Sequence, residues 1–222
     1  MRVPKVKHFS DNDHVSYVSI EKPITIPRLP VITNEVQRDK LTKTIETYIR
    51  TSLEYRDFIK YLKDYIDMNQ CQFFHNISGT KKKGVLEIHH EPYDLYTITS
   101  IVMKRQEKVF GYINELRVAE EVMRLHYMGL VGLVPLAITA HELVHDGKLI
   151  VPLNCVYGRF TEFTKEYFDD IVDVNPYIIT MLNDKIELTK KLTIDDLSIL
   201  KVRYIYTNIE GCELPSVIEE EA

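Results

Sequence analysis

Apolar residues between Asn34 and Met68 recur at helical spacing. Leu41, Ile45, Ile49, Ile59, Leu62 and Ile66 fall on one stripe, while Lys and Glu fill the other faces. Asn34 is a natural N-cap, so the pattern predicts an amphipathic helical arm from Asn34 to about Met68, broken near Ser52. Upstream, alternation over Val15–Ile20 predicts one short strand, and Pro23, Pro27 and Pro30 forbid a helix. Downstream, Cys71–Ile77 is a short apolar segment, followed by a turn at Ser78-Gly79-Thr80 and the run Lys81-Lys82-Lys83-Gly84. Val85–Ile88 reads as a strand entering His89-His90 and stopped by Pro92. Leu95, Ile98 and Val102 predict a helix over Asp94–Arg105, and Val118, Val122 and Leu125 predict a second. Gly129 and Gly132 bracket a turn. Pro135–His145 fits a short helix closed by Asp146-Gly147. Lys148–Leu153 is strand-like, Thr161–Phe168 is a short aromatic helix, and helices are expected near Tyr177–Lys191 and Ile194–Tyr204.

The expected organisation has three parts. Residues 1–70 form an extended segment and helical arm, 71–168 a core with a helical insertion, and 169–222 an acidic helical segment. The net charge of −5 comes from the last part, which holds 5 basic and 12 acidic residues; residues 71–168 hold 11 of each. That neutral core gives no general electrostatic pull toward phosphate. Composition also bounds location. The opening Met1–Lys7 is polar and basic, unlike a secretory leader, and the longest apolar window, Leu130–Ile138, contains a Gly and a Pro and is too short to span a membrane. Cys71, Cys155 and Cys212 are widely spaced, which fits reduced thiols and no cysteine-ligated zinc. The expected location is therefore the cytoplasm.

The histidines change the picture. His89 and His90 are adjacent, and His141 and His145 lie four apart on a predicted helix. Residues i and i+4 share a helical face, so two imidazoles there can converge on one ion. Uncoupled structural histidines are the plainer alternative. His141-Glu142-Leu143-Val144-His145 also matches HExxH literally, in which two His hold zinc and the Glu activates water. That reading needs a longer helix and a third ligand, for which Glu162 is the candidate. Glu91 and Glu142 flank the pairs as further candidate ligands or supports, Glu142 more simply as a solvent-facing helix residue.

Leu86-Glu87-Ile88-His89-His90, then Gly132-Leu133-Val134-Pro135-Leu136, then His141-Glu142-Leu143-Val144-His145-Asp146-Gly147 together resemble the HNH endonuclease family. Asp94-Leu95-Tyr96 and the stretch Glu120–Tyr127 resemble HNH-like proteins of tailed bacteriophages. The resemblance implies an α+β fold: a mainly helical chain around a small ββα-metal core of two strands and a helix, with the insertion between the strands. It implies one divalent ion (Mg, Zn, Mn or Ni) held by His89, His141 and His145. His90 is then the general base, with Glu87 or a backbone carbonyl as its support. Lys81, Lys82, Lys83 and Lys148 are the expected phosphate contacts, with Lys104 and Arg105 as further candidates. The implied partner is nucleic acid, DNA in preference to RNA, or a host or phage protein. Three positions depart from the family pattern. Gly132 stands where the family has Asn, Ala137 and Ala140 stand where zinc-knuckle members have cysteines, and about forty residues separate His90 from Gly132. The expected function is a metal-dependent nuclease; the alternatives are an inactive interaction or structural protein on the same scaffold and, third, a zinc peptidase.

Overall fold

The computed structural model describes residues 34–74, 85–199 and 202–203. The strand expected at Val15–Ile20, the lysines 81–83 and Cys212 lie outside them. Nine α-helices and two strands make up the described residues. The helical arm is two helices, α1 (Glu35–Thr51) and α2 (Leu53–Asp64). Asn34 caps the first by accepting the Val36 N–H at 2.8 Å. Ser52 ends it in extended conformation and caps the second, its Oγ accepting the Tyr55 N–H at 3.0 Å. One small residue thus explains the break that the sequence pattern places there.

Strand β1 (Leu86–His90) pairs antiparallel with β2 (Leu133–Ala137), Leu86 opposite Ala137 and His90 opposite Leu133. Helices α3 (Leu95–Phe110) and α4 (Glu115–Tyr127) fill the insertion between the strands. Asp94 caps α3 by accepting the Thr97 N–H, and Gly111 ends it with φ +72°, a conformation that costs a side-chain-bearing residue more than glycine. β2 runs straight into α5 (Ile138–His145). The helix expected from Pro135 therefore starts at Ile138. The reason is that all five residues Leu133–Ala137 are buried, a continuous apolar run that periodicity alone cannot separate from a buried helix. The strand-like reading of 148–153 also fails: the segment forms no strand and leads into a 3₁₀ turn at Leu153–Cys155. Helices α6 (Phe160–Glu166), α7 (Phe168–Val174), α8 (Tyr177–Lys191) and α9 (Ile194–Ile199) complete the described chain.

One core joins these elements, running from Ile45 and Ile49 of α1 through Leu95, Ile98 and Val122 to Leu182 and Ile186 of α8. The architecture is α+β, mainly helical with one small two-stranded antiparallel sheet. The closure of the sheet onto the chain that follows β1 depends on Gly132. Its carbonyl accepts the Glu91 N–H at 3.0 Å, and a Cβ at this position would lie 1.8 Å from the Glu91 carbonyl oxygen.

Candidate metal centre

Alternation along β1 divides its side chains between two faces. Glu87 and His89 point to the side covered by α5, whereas His90 points to the side covered by α2 and α4. On the α5 side, two turns of helix present His141 and His145 together, their ring centroids 4.4 Å apart. His89 meets both, at 5.0 Å and 5.3 Å between centroids. One nitrogen from each of the three rings lies within 4.8 Å of the other two. His141 Nε2 and His145 Nε2 are 3.2 Å apart. Ligands at about 2.0–2.1 Å in a tetrahedral zinc site are roughly 3.3–3.4 Å from each other, so this edge fits a shared ion.

The surroundings would suit the rings to hold an ion. Glu87 Oε2 lies 3.0 Å from His141 Nδ1, an arrangement that holds the proton on Nδ1 and turns the Nε2 lone pair inward. Burial first, and then the neighbouring His89, push the His141 pKa down, which keeps the ring neutral as a ligand must be. Glu91 is 4% exposed; its Oε2 lies 3.6 Å from His89 Nε2, and its other oxygen accepts from Lys185 of α8. Lys185 carried no signal in the sequence, because only the packing of α8 brings it to Glu91. A cleft of about 350 Å³ opens between the helical arm and the centre, lined by Arg50 and Lys63 together with the three histidines.

His90 stands apart from this cluster. It is 5% exposed, and its Nε2 lies 2.9 Å from Nε2 of His126, a residue of α4. Tyr55 stacks beside it at 6.5 Å with a 9° interplanar angle. His126 is 1% exposed, places its Nδ1 2.7 Å from the Val122 carbonyl, and sits edge-on to Tyr55 and Phe58. Burial pushes both pKa values down, that of His126 to about 4 and that of His90 well below its ordinary value, His126 being the second cause for His90. Sequence reading missed His126, since a single histidine on an amphipathic helix carries no pattern.

Glu87, offered as a support for His90, serves His141 on the opposite face. Lys148 is exposed on the turn after α5 and pairs with Asp146 at 2.8 Å. Arg105, half-buried, is committed to partners within the fold: it pairs with Asp170 at 2.7 Å and lies 3.5 Å over the Tyr167 ring, so it is not a free phosphate contact. Glu142 is exposed. Glu162, which the peptidase reading requires beside the histidines, pairs instead with Arg159 at 3.0 Å, and α5 ends after eight residues. Ala137 and Ala140, at the zinc-knuckle positions, are buried at 3% and 0% exposure, and Cys71 and Cys155 are buried free thiols.

Fold and site define a small, mainly helical α+β protein with a three-histidine cluster where its sheet meets a short helix. The family model of the bacteriophage G278-like virion proteins matches residues 5–211, and the chain belongs to that family. No curated protein and no solved structure matches it. The family establishes a phage origin, and it corrects the expectation of a cytoplasmic protein, because its members are virion proteins. Among the described residues no helix is long and apolar enough to cross a membrane.

Proposed function

We propose that this phage protein is a particle-associated interaction or structural component on an HNH-like ββα scaffold, with one divalent ion held by His89, His141 and His145. The observation that supports a non-catalytic role is Gly132. In the HNH endonucleases an Asn at this place supports the base; here the Glu91 carbonyl approaches so closely that no side chain fits. In this reading the ion is a clamp that ties β1 to α5. An all-imidazole donor set suits zinc or nickel better than magnesium, which prefers oxygen ligands. Two measurements test the reading. Mass spectrometry of purified particles should find the protein at stoichiometric copy number. Its absence from particles, with presence in infected-cell lysate, overturns the structural role. Titration with Zn²⁺ should saturate at one ion per chain and fail in His141→Ala.

A nuclease is the second reading, and one observation favours it: Arg50 and Lys63 line the same cleft as the three histidines, so a phosphodiester could lie beside them. A bound divalent ion would neutralise charge on a phosphate oxygen and on the leaving 3′ oxygen. His90 would take a proton from the attacking water as the water oxygen bonds phosphorus and the P–O3′ bond breaks; the leaving oxygen takes its proton from solvent. Nicking of plasmid DNA, and cleavage of RNA, with and without chelator decides the matter. No cleavage above a metal-free blank ends the nuclease reading.

A further inference from the structure

We propose that His126 is a positioning residue for His90: it locks the His90 ring as the Nε2–H tautomer and leaves Nδ1 as the atom that can accept a proton. The consequence for catalysis rests on the nuclease reading; the tautomer assignment does not. The Val122 carbonyl can only accept, so the 2.7 Å contact requires a proton on His126 Nδ1. His126 is fully enclosed and holds only one ring proton at neutral pH, so its Nε2 is a lone pair. The 2.9 Å contact between the two Nε2 atoms then requires that His90 donate. In the neutral His90 ring, Nδ1 is then the nitrogen without a proton. Turning the His126 ring over would place carbon atoms against both partners and lose both bonds. Tyr55 and Phe58, edge-on at 5.9 Å and 5.3 Å, fence the ring in the observed orientation.

This arrangement gives the insertion between the strands a purpose. In the HNH endonucleases a side chain on the second strand supports the base. Position 132 cannot bear one, and α4 instead supplies an imidazole, His126, that meets His90 Nε2. The Val122 carbonyl, His126 and His90 form a chain of fixed polarity that ends at His90, a residue that lines the same cleft as the three-histidine cluster.

The test uses the full chain labelled with ¹⁵N-histidine and long-range ¹H–¹⁵N spectra at pH 7, with each ring assigned by single His→Gln variants. His90 should show one protonated nitrogen, Nε2, and His126 one, Nδ1. A protonated Nδ1 on His90, or averaging between its tautomers, overturns the proposal. His126→Phe keeps the ring packing and removes the acceptor, so the His90 signals should collapse to a tautomer mixture. Retention of a pure Nε2–H form in that variant shows that His126 does not set it, and overturns the proposal. His126→Gln, whose Oε1 can still accept, should keep the Nε2–H form, and loss of that form there overturns the proposal even if the Phe variant does not fold. If wild type cleaves nucleic acid, His126→Phe should lower the rate by about 10²–10⁴-fold, the scale of a general base, while Zn²⁺ affinity stays within about twofold. Spectra as expected without any cleavage support the assignment and remove only the nuclease reading.

Discussion

At the residue scale, the carboxylate behind a metal-ligating imidazole is as informative as the imidazole. Glu87 is half-exposed and touches the cluster only through His141, so Glu87→Gln should leave the fold intact. It should lower Zn²⁺ affinity by about 10–100-fold, the usual effect of removing such a partner. Calorimetric titration checks this, and equal affinities for wild type and variant would show that the carboxylate plays no part. If the three histidines hold an ion as proposed, His145→Ala removes one ligand outright and should abolish stoichiometric binding. Gly132 makes a different prediction. Its backbone is not left-handed; the constraint is the 1.8 Å approach to the Glu91 carbonyl. Gly132→Ala should therefore destabilise by at least about 1–3 kcal/mol, as overpacking does, and Gly132→Asn by more. Urea melts measure it. Placing at this position the Asn that the HNH pattern would have should not create or raise activity; stable folding of Gly132→Asn would contradict the close approach.

At the element scale, α5 is the part that a metal would govern. Its eight residues are too few to be stable alone, its N-terminus has no side-chain cap, and only Ala140 is buried. Packing on β1 and β2 supports it, and an ion shared by His89, His141 and His145 would add a direct link to β1. Hydrogen exchange of residues 138–147 should slow on adding Zn²⁺, while α3, capped at both ends and buried along one face, should change little. Equal slowing of both helices, or of neither, would mean that the ion does not act through α5. The helical arm shows what local pattern can and cannot say. Asn34 and Ser52 mark the two helix starts from chemistry that involves only their own neighbours. The interior of β2 gave no such mark, because an apolar run buried on both faces has no period.

At the scale of the whole molecule, the His90–His126 pair links stability to pH. The folded pKa of His126, about 4, lies below its ordinary 6.5, so between those values the unfolded chain binds a proton that the fold refuses. Stability is then full above about pH 6.5 and falls as pH drops toward 4. At about 1.4 kcal/mol per pH unit of displacement the loss from His126 is on the order of 3 kcal/mol, and His90 acts in the same direction. The Arg50 charge adds to the depression at both rings. Urea midpoints measured from pH 7.5 to 4.5 should fall accordingly, and His126→Phe should flatten the slope. A wild-type midpoint independent of pH over that range would mean that the two rings are not held neutral.

Sequence alone determined what depends on neighbours along the chain: the helical arm and its break at Ser52, the strand into His89-His90, and the placement of His141 and His145 on one helical face. It also pointed to an α+β protein with a small sheet. Tertiary structure decided which ring faces which partner. The period of β1 sends His89 and His90 to opposite sides, but only the packing of α5 on one side and α2 and α4 on the other turns that alternation into a three-histidine cluster and a separate buried pair. His126, Lys185 and Arg50 were illegible for the same reason. Each is an ordinary residue on its own helix, brought to the site by contacts distant in sequence. Gly132 read as a missing Asn, and the fold shows a position where the approach of the Glu91 backbone, just after β1, excludes any side chain.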